Sequence, residues 1–147
     1  MKRFIPFIVS VVFLCFLSSS QCSDGPDAGT IEVNEYSVNI PSEGGEFTFV
    51  CKNHSYWMVE KYLIVVGDTE QIEYPTNQTC DDVCTYSNEW LTVTIPADNK
   101  KQLKVEMKPY TEETSHGRGI EVEMKSEDGS HITLSATQYS SNVPSFD

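Results

Sequence analysis

Five stretches of this chain alternate apolar and polar residues with a period of two. They are "YSVNIP" (Tyr36, Val38, Ile40), "EFTFVC" (Phe47, Phe49, Cys51), "QLKVEM" (Leu103, Val105, Met107), "GIEVEM" (Ile120, Val122, Met124) and "HITLSATQ" (Ile132, Leu134, Ala136). Successive side chains on a strand point to opposite faces, so each stretch has one face to bury and one to leave in water. No sustained helical spacing competes with that pattern. The turn signals "PSEGGE", "KNHS", "PADNK" and "SEDGS" separate the runs, and Asp128-Gly129 between two alternating runs predicts a hairpin. Short one-sided strands at such intervals predict an all-β chain folded as an antiparallel two-sheet sandwich in a single domain.

The rhythm breaks between Lys61 and Glu89. "YLIVV" is apolar on both faces and reads as one central strand; "QIEY" reads as a second short strand, and a long polar loop holding "CDDVC" follows. The stretch 61–89 is therefore expected to be an insertion, and a loop of that length in a small domain is either functional or loosely ordered.

The start of the chain has a different character. Lys2 and Arg3 precede an apolar run from Phe4 to Leu17, too short for a membrane span and followed at once by "SSS". "LSSSQC" resembles the lipobox of bacterial lipoproteins. That resemblance implies a signal peptide over 1–21 and lipidation of Cys22, with 22–30 as a solvated tether, and plain secretion is the alternative. The sandwich is expected over 31–139 and a tail over 140–147.

Charge narrows the partners. Of the 10 basic residues, loss of Lys2 and Arg3 with the leader leaves 8 against 22 acidic ones, a mature net charge of −14. Such a surface repels nucleic acid and anionic lipid, so membrane attachment would fall to acyl chains. Cys51, Cys80 and Cys84 remain once Cys15 is removed and Cys22 is acylated. Cys51 is in register with Phe47 and Phe49 and reads as a buried strand residue. Cys80 and Cys84 could close a small disulfide loop, and a bond from Cys51 to either stays open. The spacing does not suggest a metal site.

The order of features resembles the BACON domain. "IPSEGG" lies before a strand, Trp57 after it, then come "WLTV" at Trp90–Val93, an alternating run, Arg118, "GIEVEM" and a closing strand ending at Gln138. The resemblance covers about Ile31 to Gln138. It implies an immunoglobulin-like β-sandwich, exported or lipid-anchored in Bacteroidetes, with carbohydrate binding as the function proposed for that family. Trp57 and Trp90 are separated here by the 61–89 stretch, whereas the family keeps its tryptophans close.

Catalytic chemistry finds little to stand on. No G-x-S-x-G elbow, calcium loop or phosphate cradle is present, and His54, His116 and His131 read as surface residues. No cofactor is expected. Sugars are commonly held on flat aromatic faces with polar groups at the rim. Trp57 and Trp90 are expected in the core, which leaves Tyr74, Tyr86, Tyr110 and Tyr62 as the carbohydrate-binding candidates; the same tyrosines could simply pack the insertion on the sandwich. Two functions follow: a non-catalytic glycan-binding lipoprotein of the outer membrane, or a structural or adhesive lipoprotein whose sandwich binds a protein partner.

Overall fold

The computed structural model describes residues 29–75, 85–112 and 116–141. Cys22, Cys80, Cys84 and the leader lie outside them. Every alternating run becomes a strand: β1 (Ser37–Ile40), β2 (Gly45–Val50), β3 (Trp57–Val66), β4 (Thr69–Glu73), β5 (Thr85–Ser87), β6 (Leu91–Thr94), β7 (Gln102–Met107), β8 (Gly117–Ser126) and β9 (His131–Tyr139). They form a five-stranded sheet in the order β1-β9-β8-β3-β4 and a four-stranded sheet in the order β2-β7-β6-β5. Pairing is antiparallel except between β1 and β9, which run parallel. The chain is a β-sandwich.

The core lies between the sheets. Trp57, Val59, Tyr62 and Ile64 of β3, Ile120, Val122 and Met124 of β8, and Leu134 and Ala136 of β9 face Phe49, Leu91, Val93, Leu103, Val105 and Met107 of the other sheet. Each such burial favours folding by ~1.5–3 kcal/mol before chain entropy is charged against it. Trp57 is 2% exposed, and its indole N–H donates to the Gln102 carbonyl at 3.4 Å, so the ring is buried with its polar atom satisfied.

Much of the 61–89 stretch belongs to the sheets, including the strands expected at "YLIVV" and "QIEY". Lys61–Val66 completes β3, and β4 and β5 take two further pieces. A β-bulge interrupts β3: Val59 pairs with Met124 and Lys61 with Glu123, which leaves Glu60 as the extra residue. The inward set therefore shifts from Trp57 and Val59 to Tyr62 and Ile64, and period-two reading fails there. The β3–β4 turn is Gly67-Asp68, with Gly67 at φ 58° in the first central position. The predicted hairpin joins β8 to β9, with Gly129 at φ 87°.

The first described segment crosses between the sheets. Val33 bridges Cys51 at the end of β2, and β1 then runs beside β9. Asn53 fastens the entry: its Nδ2 donates to the Thr30 carbonyl at 2.5 Å, and its Oδ1 accepts from the Glu32 N–H at 2.8 Å. Ser130 Oγ donates to the Gly29 carbonyl. The chain thus enters at the β8–β9 turn, and β9 ends at Tyr139, at the other end of the sandwich.

Candidate binding site

The outer face of the five-stranded sheet is divided along its length. Register places Ile72, Leu63, Glu121, Ser135 and Ser37 in one outward row, and Glu70, Val65, Gly119, Thr137 and Asn39 in the next. Gly117 and Tyr139 make the last pair. Toward the β8–β9 turn the same face is charged: Lys61 pairs with Glu123 at 3.0 Å, and Lys125 with Glu60 at 3.6 Å. His131 Nδ1 lies 3.4 Å from Glu60, so Glu60, Glu123 and His131 bring three metal-competent groups together. Lys61 and Lys125 already supply cations to both carboxylates there.

The other end holds a groove of about 340 Å³, lined by Val65, Gly117, Gly119, Glu121, Ser135, Thr137 and Tyr139 among others. Two residues without side chains make its floor. A Cβ on Gly119 would stand 2.6 Å from the Ala136 carbonyl oxygen, and one on Gly117 would stand 2.9 Å from the Tyr139 ring. Tyr139 therefore lies across Gly117 while remaining 56% exposed. Hydroxyls form the far wall: Ser135 Oγ donates to Ser37 Oγ at 2.8 Å, and Thr137 Oγ1 donates to Asn39 Oδ1. Each hydroxyl retains acceptor capacity for a ligand. An aromatic face beside a bare backbone floor and a hydroxyl rim can take the C–H face of a sugar ring and bond its hydroxyls.

The four tyrosines singled out in the sequence do not share this site. Tyr62 and Tyr110 are each 2% exposed, which removes them as ligand platforms. Tyr62 is on the inward parity that the bulge sets, and Tyr110 packs on Arg118. Tyr86 is half-buried in β5, its ring centroid 5.2 Å from that of Tyr62. Tyr74, just beyond β4, is 66% exposed. Tyr139 was missed because it closes an alternating strand on the polar parity, after Thr133, Ser135 and Thr137. An aromatic residue on that parity was the available signal. Cys80 and Cys84 lie outside the described residues, while Cys51 is a buried free thiol.

Beneath the groove, on the inner face of β8, a buried cation closes the sandwich. The Arg118 guanidinium sits between the rings of Trp90 and Tyr110, 4.5 and 4.1 Å from their centroids. Its Nε donates to Gln138 Oε1 at 2.8 Å, and its Nη2 to the carbonyls of Lys108 and Pro109 at 2.8 and 3.2 Å. Gln138 Nε2 in turn donates to the carbonyls of Pro41 and Lys108. Burial draws the Arg118 pKa below its ordinary value, with Tyr110 and Glu112 opposing. Asn88 positions Trp90 by accepting the N–H groups of Trp90 and Leu91 at 2.9 and 2.8 Å.

The opposite end carries a His–Asp pair. His54 is 8% exposed, not a surface residue as its loop position suggested, with Nδ1 2.9 Å from Asn53 Oδ1 and Nε2 3.2 Å from Asp128 Oδ2. Ser126 donates its hydroxyl to Asp128 and not to His54. The carboxylate thus sits between hydroxyl and imidazole, and the three do not form a nucleophile relay. The Ser126 hydroxyl, the Ser130 N–H and His54 hold the Asp128 carboxyl well below the usual carboxylate range. Glu127 is lowered by the Ser55 N–H first and the Tyr56 N–H as well, both at 3.1 Å. A depressed carboxyl pKa contributes stability that is complete above its unfolded value and is lost as pH falls toward the folded one. Unfolding followed from pH 7 to pH 2 should therefore show stability falling below about pH 4. Asp128→Asn should be less stable at pH 7 and show a shallower acid decline; an unchanged decline would refute this role.

Comparison with known proteins bears on the fold. No protein-family model matches the chain, and no curated protein matches it. Among solved structures it is similar to an NMR structure of a protein from Bacteroides thetaiotaomicron, with 15% identity and a TM-score of 0.56 over 77% of this chain and 89% of that one. It is also similar to the Bacteroides ovatus GH5 xyloglucanase in complex with a XXXG heptasaccharide, with 13% identity and a TM-score of 0.42. That match covers 80% of this chain and 20% of the enzyme. The likeness to the first is one of fold.

Proposed function

We propose that this chain is a non-catalytic, lipid-anchored β-sandwich of BACON type that binds carbohydrate on the outer face of its five-stranded sheet. The observation that carries the reading is the groove: exposed Tyr139 beside a floor of Gly117 and Gly119, with the hydroxyls of Ser135 and Thr137 at its rim. The lipobox-like "LSSSQC" supports attachment through Cys22 to the outer membrane of a Bacteroidetes cell. The chain enters the sandwich at the β8–β9 turn, and Gly117 lies at the far end of the ten-residue strand β8. At ~3.3 Å per residue, Gly117 stands about 30 Å along the strand from the β8–β9 turn, so an anchor at Cys22 would hold the groove toward the far end of the sandwich.

Binding of residues 23–147 to a glycan array tests the reading. Tyr139→Ala should weaken any specific binding about tenfold or more, with little change in thermal stability. Tyr74→Ala, on a different part of the surface, should leave binding unchanged. Glycan binding that survives Tyr139→Ala would move the site elsewhere.

A second reading rests on β4. This edge strand is exposed over Thr69–Ile72, with Ile72 and Tyr74 54% and 66% exposed, and an uncovered edge can accept a strand from a partner protein. Failure to bind any glycan would favour it.

A further inference from the structure

We infer that the groove selects glycans without acidic groups, admitting neutral or amine-bearing sugars and excluding uronates and sulfated chains. This rests on the carbohydrate-binding reading above and adds the chemical class of the ligand. Glu121 lines the groove and is exposed at the centre of the outward face. Glu70 stands in the next row, in register with Val65.

The cations that could offset them are engaged elsewhere. The Arg118 guanidinium is turned to the inner face, where it bonds Gln138 and two carbonyls between two aromatic rings. Lys61 is bound to Glu123 at 3.0 Å, with Glu121 only a lesser electrostatic partner. His116 packs against the β3–β4 turn, where a Cβ on Gly67 would stand 3.4 Å from its side chain. A uronate or sulfate ester would enter beside Glu121 on a chain whose net charge is −12; among the described residues that line the groove the one basic side chain, Arg118, is turned inward. A glucosamine amine would meet a carboxylate at that point, and a neutral hydroxyl would meet a good acceptor. Exclusion of the like-charged ligand is the specificity device.

The test uses an array bearing neutral β-glucan and mannan oligosaccharides, chitosan oligosaccharides, oligogalacturonate and heparan sulfate oligosaccharides. It is read with the wild type, Glu121→Lys and Tyr139→Ala. The wild type should bind within the neutral or chitosan set. Glu121→Lys should raise binding of the acidic oligosaccharides about tenfold relative to the wild type and weaken chitosan binding. Equal wild-type binding of acidic and neutral oligosaccharides, lost in Tyr139→Ala, would overturn the selectivity and leave the groove as the site. Acidic binding unmoved by Glu121→Lys would also overturn it. Binding of nothing, or binding indifferent to Tyr139→Ala, would overturn the carbohydrate reading and this inference together.

Discussion

Arg118→Ala is expected to unfold more than about 10 °C below the wild type, a loss of roughly 3 kcal/mol or more. The substitution strips one donor group from three acceptors at once: Gln138 Oε1 and the carbonyls of Lys108 and Pro109. A buried acceptor left without its partner costs ~1–3 kcal/mol, and a desolvated cation–π contact contributes up to about 2 more. Gln138, itself 0% exposed, also loses the neighbour that orients it over the Pro41 and Lys108 carbonyls. Arg118→Lys keeps the charge but not the planar fork that donates in three directions while stacked between two rings, so it should recover less than half of the loss. Thermal and urea unfolding of the three proteins decides the matter. An Arg118→Ala protein within ~1 kcal/mol of the wild type would show that the network is decorative.

Gly119→Val should destabilise by about 2 kcal/mol or more, the reverse of what strand propensity predicts for replacing glycine with a β-branched residue. A Cβ there meets the Ala136 carbonyl oxygen at 2.6 Å and Thr137 Cγ2 at 3.2 Å. The first of these is backbone of the neighbouring strand and cannot swing aside, so β8 and β9 would have to separate. Gly117 supplies the internal contrast. Its close neighbour is the movable ring of Tyr139, so Gly117→Ala should fold nearly as stably as the wild type while displacing the ring and weakening ligand binding. If Gly119→Val proved as stable as the parent, the floor of the groove would not be held as tightly as the register implies.

The alternating runs made the sandwich legible, because a sheet with one buried face imposes period two on every strand that helps to close it. Leu103, Val105 and Met107 fell on the buried parity for that reason, as did Ile120, Val122 and Met124. The strand at "YLIVV" was legible, but its continuity with Trp57–Val59 was not. One extra residue at Glu60 exchanges the two faces, and Leu63 and Val65 are apolar on the outward side, so the second half of the strand shows no parity that continues the first. Without that parity Tyr62 read as a platform candidate, whereas it lies in the core. The groove was hidden for a different reason: it is made by what Gly117 and Gly119 lack and by a register that sets Tyr139 opposite one of them. Pairing between strands is a property of the fold, and no local pattern announces it. His54 likewise looked like a surface residue because its partner, Asp128, is 74 positions away.

The parallel pairing of β1 with β9 has a mechanical consequence. Ser37 to Ile40 run beside Ser135 to Gln138 in the same direction, and the chain enters at one end of the sandwich while β9 finishes at the other. Tension between a tether at Gly29 and a load held near Tyr139 therefore acts along the strand axes. The hydrogen bonds linking β1 to β9 are then strained together, in shear, instead of opening one after another like a zipper. A sandwich pulled in that direction yields only when the whole ladder slips.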